Sequence, residues 1–171
     1  MGNIFLDQSS EFFCPLCQSG NLIFHDYCTR IIRHEGGNHE WIKIPRHKCN
    51  NPKCGRIHRM LPDFLIPHKH YAEETITGVL NGVVGPDDED SETFPSETTM
   101  IRWLRWFITN LQNIEGYMRS IGYRLLGFSE ELLKTGNSLL DHMRSSFPDT
   151  WMKNVLRCIY NSGNKLQPFY G

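Results

Sequence analysis

A chain of 171 residues, 39% hydrophobic and 12% aromatic, is long enough for one domain or two small ones and can bury a core. No window reaches the roughly 18 consecutive apolar residues of a membrane span. The start MGNIFLDQSSEFFCP has neither a basic opening nor a long apolar run, so neither a membrane span nor a secretory leader is expected and a cytoplasmic setting is. A net charge of -1 hides an uneven distribution.

Residues 1–28 contain no Lys or Arg, whereas 29–70 hold nine, with six of the eight His and only Glu35, Glu40 and Asp63 as acids. Residues 71–101 then carry eight acids and no Lys or Arg, and the remainder is moderately basic. A basic block, an acidic linker and a basic tail follow one another. Myristoylation is not supported, because the sixth residue is Leu6 rather than Ser or Thr.

The first chemical motif is FFCPLCQSGNL, which places Cys14 and Cys17 around a Pro-led turn with Gly20 just beyond. Its counterpart is KCNNPKCGR, with Cys49 and Cys54 followed by Gly55. Two tight turns, each presenting two thiols, supply the four soft ligands that structural zinc takes in a tetrahedron. Gly20 and Gly55 are expected to adopt positive φ, turning backbone amides toward the sulfurs. In a reducing compartment six cysteines point to metal rather than disulfides. A redox dithiol at Cys14 and Cys17 lacks the βαβ pattern that accompanies one, and Cys28 and Cys158 read as small buried apolar residues. His58 could replace one thiolate, although four cysteines already close the shell. A closed shell leaves no open coordination position, which favours structure over catalysis.

Between the pairs, NLIFHDYCTRIIRH and HEWIKIPRHKC are β-rich runs joined by EGGN, a hairpin signal. In the first run Leu22, Phe24 and the pair Ile31/Ile32 do not keep one parity, which predicts a bulge or a change of face. RIHRMLPDFLIPHKHY adds a further strand and then leaves at Pro62 and Pro67. Residues 1–70 are thus expected to form a zinc ribbon around one structural Zn2+.

Residues 71–171 read as helical, with helices at about 72–84, 96–127, 129–145 and 149–162 and an acidic loop over 85–95. The helix from Ser96 carries an apolar stripe at Leu104, Phe107, Leu111, Ile114, Met118, Ile121 and Leu125, suited to a core or to a coiled-coil dimer. Gly116 and Gly122 weaken it and allow a bend or a close approach. Opposite the stripe stand Thr98, Thr99, Arg102, Arg105 and Trp106, the composition of a recognition helix. The fold class expected is α+β: a small antiparallel ribbon, then an all-helical, helix-turn-helix-like region.

The segments FFCPLCQSGNLIFHDY, IPRHKCNNPKCGRIHRMLPDFLIPHKHYAEETI and PSETTMIRWLRWF resemble a bacterial family of unknown function found with mobile elements. The first two also look like the zinc-ribbon head of certain insertion-sequence transposases, where a Cys-Pro-x-Cys pair precedes a basic strand and a Cys-x-Asn-Pro-x-Cys knuckle. The resemblance covers about residues 12–107 and implies binding of element ends, which are double-stranded DNA. It does not extend to the transposase chemistry, because the 64 residues after Phe107 leave no room for a nuclease domain.

The expectation is therefore a non-catalytic, zinc-dependent DNA-binding factor of a mobile element. Phosphates would be gripped by Arg30, Arg33, Lys43, Arg46, Lys48, Lys53, Arg56, Arg59 and Lys69, with Thr98 and Thr99 on phosphate and Arg102 and Arg105 on bases. A four-thiolate zinc centre is formally a dianion, so neutralising that cluster is a competing role for the same cations. The alternative class is an adaptor that docks a transposase, recombinase or ATPase partner or forms a homodimer. An enzyme is the least favoured class, since Asp141, His142 and Cys158 make no recognisable triad.

Overall fold

The two β-rich runs form a long hairpin, β2 (Leu22–Arg33) with β3 (His39–Cys49), registered from Leu22 opposite Cys49 to Arg33 opposite His39. The computed structural model describes residues 2–5, 13–34, 37–87 and 95–168. Of the predicted EGGN connection, Glu35 and Gly36 lie outside these residues; Gly37 has φ +78°, as a tight turn requires. β4 (Ile57–Leu61) pairs antiparallel with β3 and stops at Pro62. A strand that sequence reasoning did not find, β1 (Gly2–Phe5), pairs parallel with β4, giving the order β1-β4-β3-β2.

Strand alternation sends neighbouring residues to opposite faces. Ile4, Met60 and Cys49 belong to a small cluster around the cysteines, whereas Phe5, Leu61 and Ile44 belong to the large core shared with the helices. Leu22 joins the first cluster and Ile32 the second, although both have even numbers. The register shift between Phe24 and Asp26 reconciles them. An extra residue there reverses the parity, so the irregular pattern predicted a bulge for a physical reason: one strand feeds two faces.

The helical layer comprises α1 (Glu73–Leu80), α2 (Glu97–Leu125), α3 (Glu130–Lys134), α4 (Leu139–Ser146) and α5 (Trp151–Asn161). α1 is shorter than the expected 72–84, ending where Gly82 takes φ +71°. Of the acidic loop, 88–94 lie outside the described residues. Residues 129–145 form two helices instead of one. Arg119 donates to the carbonyls of Leu133, Thr135 and Asn137, while Glu115 accepts from the N–H groups of Leu139 and Leu140. Two α2 side chains thus satisfy backbone groups on either side of the break at Gly136.

The apolar stripe of α2 is also rotated from the expected one. Met100, Trp103, Phe107, Ile114 and Met118 are buried, Leu104, Leu111 and Ile121 are half-buried, and Leu125 is exposed. Trp106, expected on the outer face, is only 3% exposed and its indole donates to the Gln167 carbonyl. Buried Asn110 pairs with that residue's backbone in both directions, at 2.8 and 3.1 Å, so the C-terminal segment covers this side of the helix. Gly122 has the close approach expected of it: a Cβ there would lie 2.5 Å from the Phe128 ring. Nothing stands within 4 Å of one at Gly116.

Candidate metal centre and basic groove

Each cysteine pair sits in a turn whose backbone closes on itself. In the first, the Gln18 N–H donates to the Cys14 carbonyl and the Cys14 N–H to Gly20, both at 2.8 Å. In the second, the N–H groups of Cys54 and Gly55 both reach the Asn51 carbonyl at 2.9 Å, and the Asn51 side chain accepts from Lys53 N–H. The turns are tied to each other as well. Asn21 and Asn50 exchange two hydrogen bonds, and the Asn51 amide donates to the Ser19 hydroxyl.

The two glycines play different parts. Gly55 has φ +55°, as expected. At Gly20 the positive φ is not found; Gln18 takes it instead, at 54°. Gly20 is needed for space, because a Cβ would stand 2.5 Å from the Cys49 sulfur.

These turns bring the sulfurs of Cys14, Cys17, Cys49 and Cys54 within 4.8 Å of one another. Across the turns, Cys14 lies 3.8 Å from Cys54 and Cys17 3.6 Å from Cys49. A tetrahedral thiolate site with bonds of about 2.3 Å has sulfur–sulfur edges of about 3.8 Å. The four cysteines therefore have the separation needed to hold a metal ion. All six cysteines of the chain are unpaired by disulfides.

Their acidities differ. The Ser19 N–H draws the Cys17 thiol down to about 6, while burial pushes Cys14 up and Cys49 up to about 12. Such a set does not ionise as a whole near neutrality without a cation to offset the charge. His58 is 1% exposed, with Nε2 3.5 Å from the Cys14 sulfur, and burial holds it neutral by lowering its pKa. In the Nε2–H tautomer it donates to that sulfur, supporting the ligand set from outside. Gly2 packs directly against its ring, where a Cβ would come within 2.6 Å of Nδ1.

The predicted DNA contacts separate into three groups. Arg33, Lys43, Lys48, Lys53 and Arg56 are exposed on the strands and the second turn, without an ion pair among the described residues. Arg30, Arg46 and Lys69 have structural engagements. Arg30 donates to the carbonyls of Ile66 and Lys69, Arg46 pairs with Asp26, and the Lys69 ammonium stands 4.6 Å over the Trp106 ring. Arg30, Arg59 and Lys69 nevertheless line one groove, where no acid accompanies them. On α2, Thr98, Arg102 and Arg105 are exposed, Thr99 is half-buried against the Ser96 hydroxyl, and none of the four lines that groove.

The hairpin face away from the helices is the feature the sequence reading passed over. Phe24, Tyr27 and Trp41 are 51%, 58% and 65% exposed, and the register sets Lys43, opposite Thr29, on the same side. The Phe24 and Tyr27 rings lie 5.0 Å apart, tilted by 58°. Trp41 and Lys43 spaced by two in β3, with Phe24 and Tyr27 in its hairpin partner β2, were the available signal.

No curated protein and no solved structure matches the chain. Residues 14–103, spanning both cysteine turns, the sheet beyond β1 and the start of α2, match the model of the domain of unknown function DUF6431, and the chain belongs to that family.

Proposed function

We propose that the protein is a non-catalytic zinc-ribbon factor that binds double-stranded DNA. Support for zinc comes from the ligand type and the tetrahedral sulfur spacing, since four thiolates select zinc over harder cations. Elemental analysis of the purified protein is expected to give about one zinc per chain.

The observation that carries the DNA reading is the outward sheet face, where Trp41, Tyr27 and Phe24 are exposed together with Lys43, and the exposed cations Lys48, Lys53 and Arg56 at the strand end and second turn. Cations of this kind take phosphates, and aromatic faces take sugars and bases. Arg102 and Arg105 at the start of α2 extend the reach to base edges. The mobile-element setting rests on the resemblance of the two cysteine segments to transposase heads. A partner-binding adaptor draws on the same exposed aromatics, and affinity for a duplex as a function of salt separates the two. With Lys48, Lys53 and Arg56 all changed to Gln, the slope of log affinity on log salt should fall by about 2.7 if each contacts one phosphate. Absence of any duplex binding at low salt would leave the adaptor.

A further inference from the structure

Where β2, β3 and β4 meet the segment before α1, they enclose a groove of about 410 Å³. Arg30, Arg59, His68, Lys69 and His70 line it, with Asn3 from β1, and no Asp or Glu does. Five titratable bases converging without an acid is an arrangement that folding alone does not favour.

The strain is visible at Arg30, Lys69 and His68. Desolvation lowers Arg30 to about 10 and Lys69 to about 8. Enclosure, and after it the charges of Arg59, Arg30 and Lys69, lowers His68, whose backbone is held at φ +65°. Arg59 is the member with no structural task, making no side-chain hydrogen bond or ion pair among the described residues. The other two cations are anchored: Arg30 by carbonyls and Lys69 over Trp106. An anion entering here meets a largely preformed cradle.

We propose that this groove is a binding site for a phosphate monoester. Arg30, Arg59 and Lys69 are half-buried, so the flank of a duplex would not reach all three, whereas a phosphate projecting from a chain end or a small molecule would. A monoester carries about -1.5 to -2 at neutral pH, which matches three recessed cations better than the single charge of a backbone diester. The groove has room for the sugar that bears it. Two sources share this chemistry: the 5′-phosphate of a nucleic-acid strand and a free nucleotide-like metabolite. The site draws on three cations of the DNA reading but does not depend on duplex binding.

The test uses the full zinc-loaded chain, titrated calorimetrically with inorganic phosphate and with a deoxynucleoside 5′-monophosphate. It is paired with binding of one duplex bearing either 5′-phosphate or 5′-hydroxyl ends. Wild type should bind the monophosphate at millimolar concentration or below, and Arg59→Gln should weaken this about tenfold, as expected for loss of a charge-assisted contact. Thermal melting checks that the variant is folded. If it is not, Lys69→Gln, which keeps the side-chain stem over Trp106, should give the same loss. Tighter binding of the 5′-phosphorylated duplex identifies a strand end as the source; monophosphate binding with no preference between ends identifies a free ligand. Duplex binding that ignores end phosphorylation, with no heat from either phosphate, overturns the site while leaving the DNA reading standing. Phosphate binding without duplex binding does the reverse.

Discussion

The two faces of the sheet are held by different chemistry. On the helix side, Phe5, Ile32, Ile44 and Leu61 enter a continuous core with Ile76, Met100, Ile114, Met118, Trp151 and Ile159. On the other side, Ile4, Leu22 and Met60 are the only buried residues grouped with Cys14 and Cys49 among the described residues. Burial of apolar area at about 25 cal/mol per Å² can stabilise the first assembly. Three apolar side chains cannot order two turns and a strand end against their conformational entropy. An ion held by the four thiols, which are spaced to bind one, would supply the stability that this side lacks.

The sharpest way to break this comparison is to remove the metal site alone. Cys49→Ser, or treatment with a chelator, is expected to release the bound metal and unfold both cysteine turns with the adjacent strand ends. Metal binding by such sites contributes about 10–16 kcal/mol in small peptides, more than any single apolar truncation. Far-UV circular dichroism should keep the signal of α2 and α5, while limited proteolysis should open the segments around residues 14–20 and 49–56. Loss of the helical signal in step with the metal would show that the two faces are one cooperative unit.

The reciprocal change is Trp151→Ala. Trp151 is 1% exposed, packs edge-on to Phe107 at 5.8 Å, carries the Arg144 guanidinium 4.5 Å over its ring and donates to the Asn81 side chain at 3.2 Å. Truncation is expected to cost about 3–5 kcal/mol in denaturant unfolding. Metal content measured below the transition should stay near one equivalent, because nothing in the small cluster touches this ring. A proportional loss of metal would remove the distinction between the faces.

The same division explains what was legible in the sequence. Both cysteine turns could be read because ligand identity, the closing glycine and the asparagine that organises the turn lie within a few residues of each other. The hairpin and its bulge were legible from parity. β1 was not, since Gly2–Phe5 has no pattern of its own and is specified by β4 and by a residue 156 positions away. Trp106 was misplaced for a similar reason: α2 has aromatic residues on two sides, and the one covered by Gln167 is set by the returning tail. The break between α3 and α4 did leave a local signal, Gly136 followed by Asn137, but its geometry is fixed by Glu115 and Arg119 from another helix. For the basic residues, sequence showed the charge, and only the fold separates cations with structural partners from those left exposed.

The smallest expected effect tests the joint between the two faces. β1 is an edge strand that supplies Ile4 to one cluster and Phe5 to the other, and its outer backbone is met by Asn161 at the end of α5. The Phe5 N–H donates to Asn161 Oδ1 at 2.8 Å, and Asn161 Nδ2 donates back to the Phe5 carbonyl at 3.1 Å. One amide side chain thus imitates a neighbouring strand. Asn161→Ala leaves both backbone groups part-buried and unmatched, at about 1–3 kcal/mol. Hydrogen exchange should quicken at Phe5 first and then, because Gly2 packs on His58 and His58 on Cys14, at the first cysteine turn. Metal affinity should fall slightly while the α2 amides keep their protection. Uniform acceleration across α2 and α5 would mean that Asn161 supports the helical core itself, and that β1 is a passenger on the sheet instead of the strand that couples its two sides.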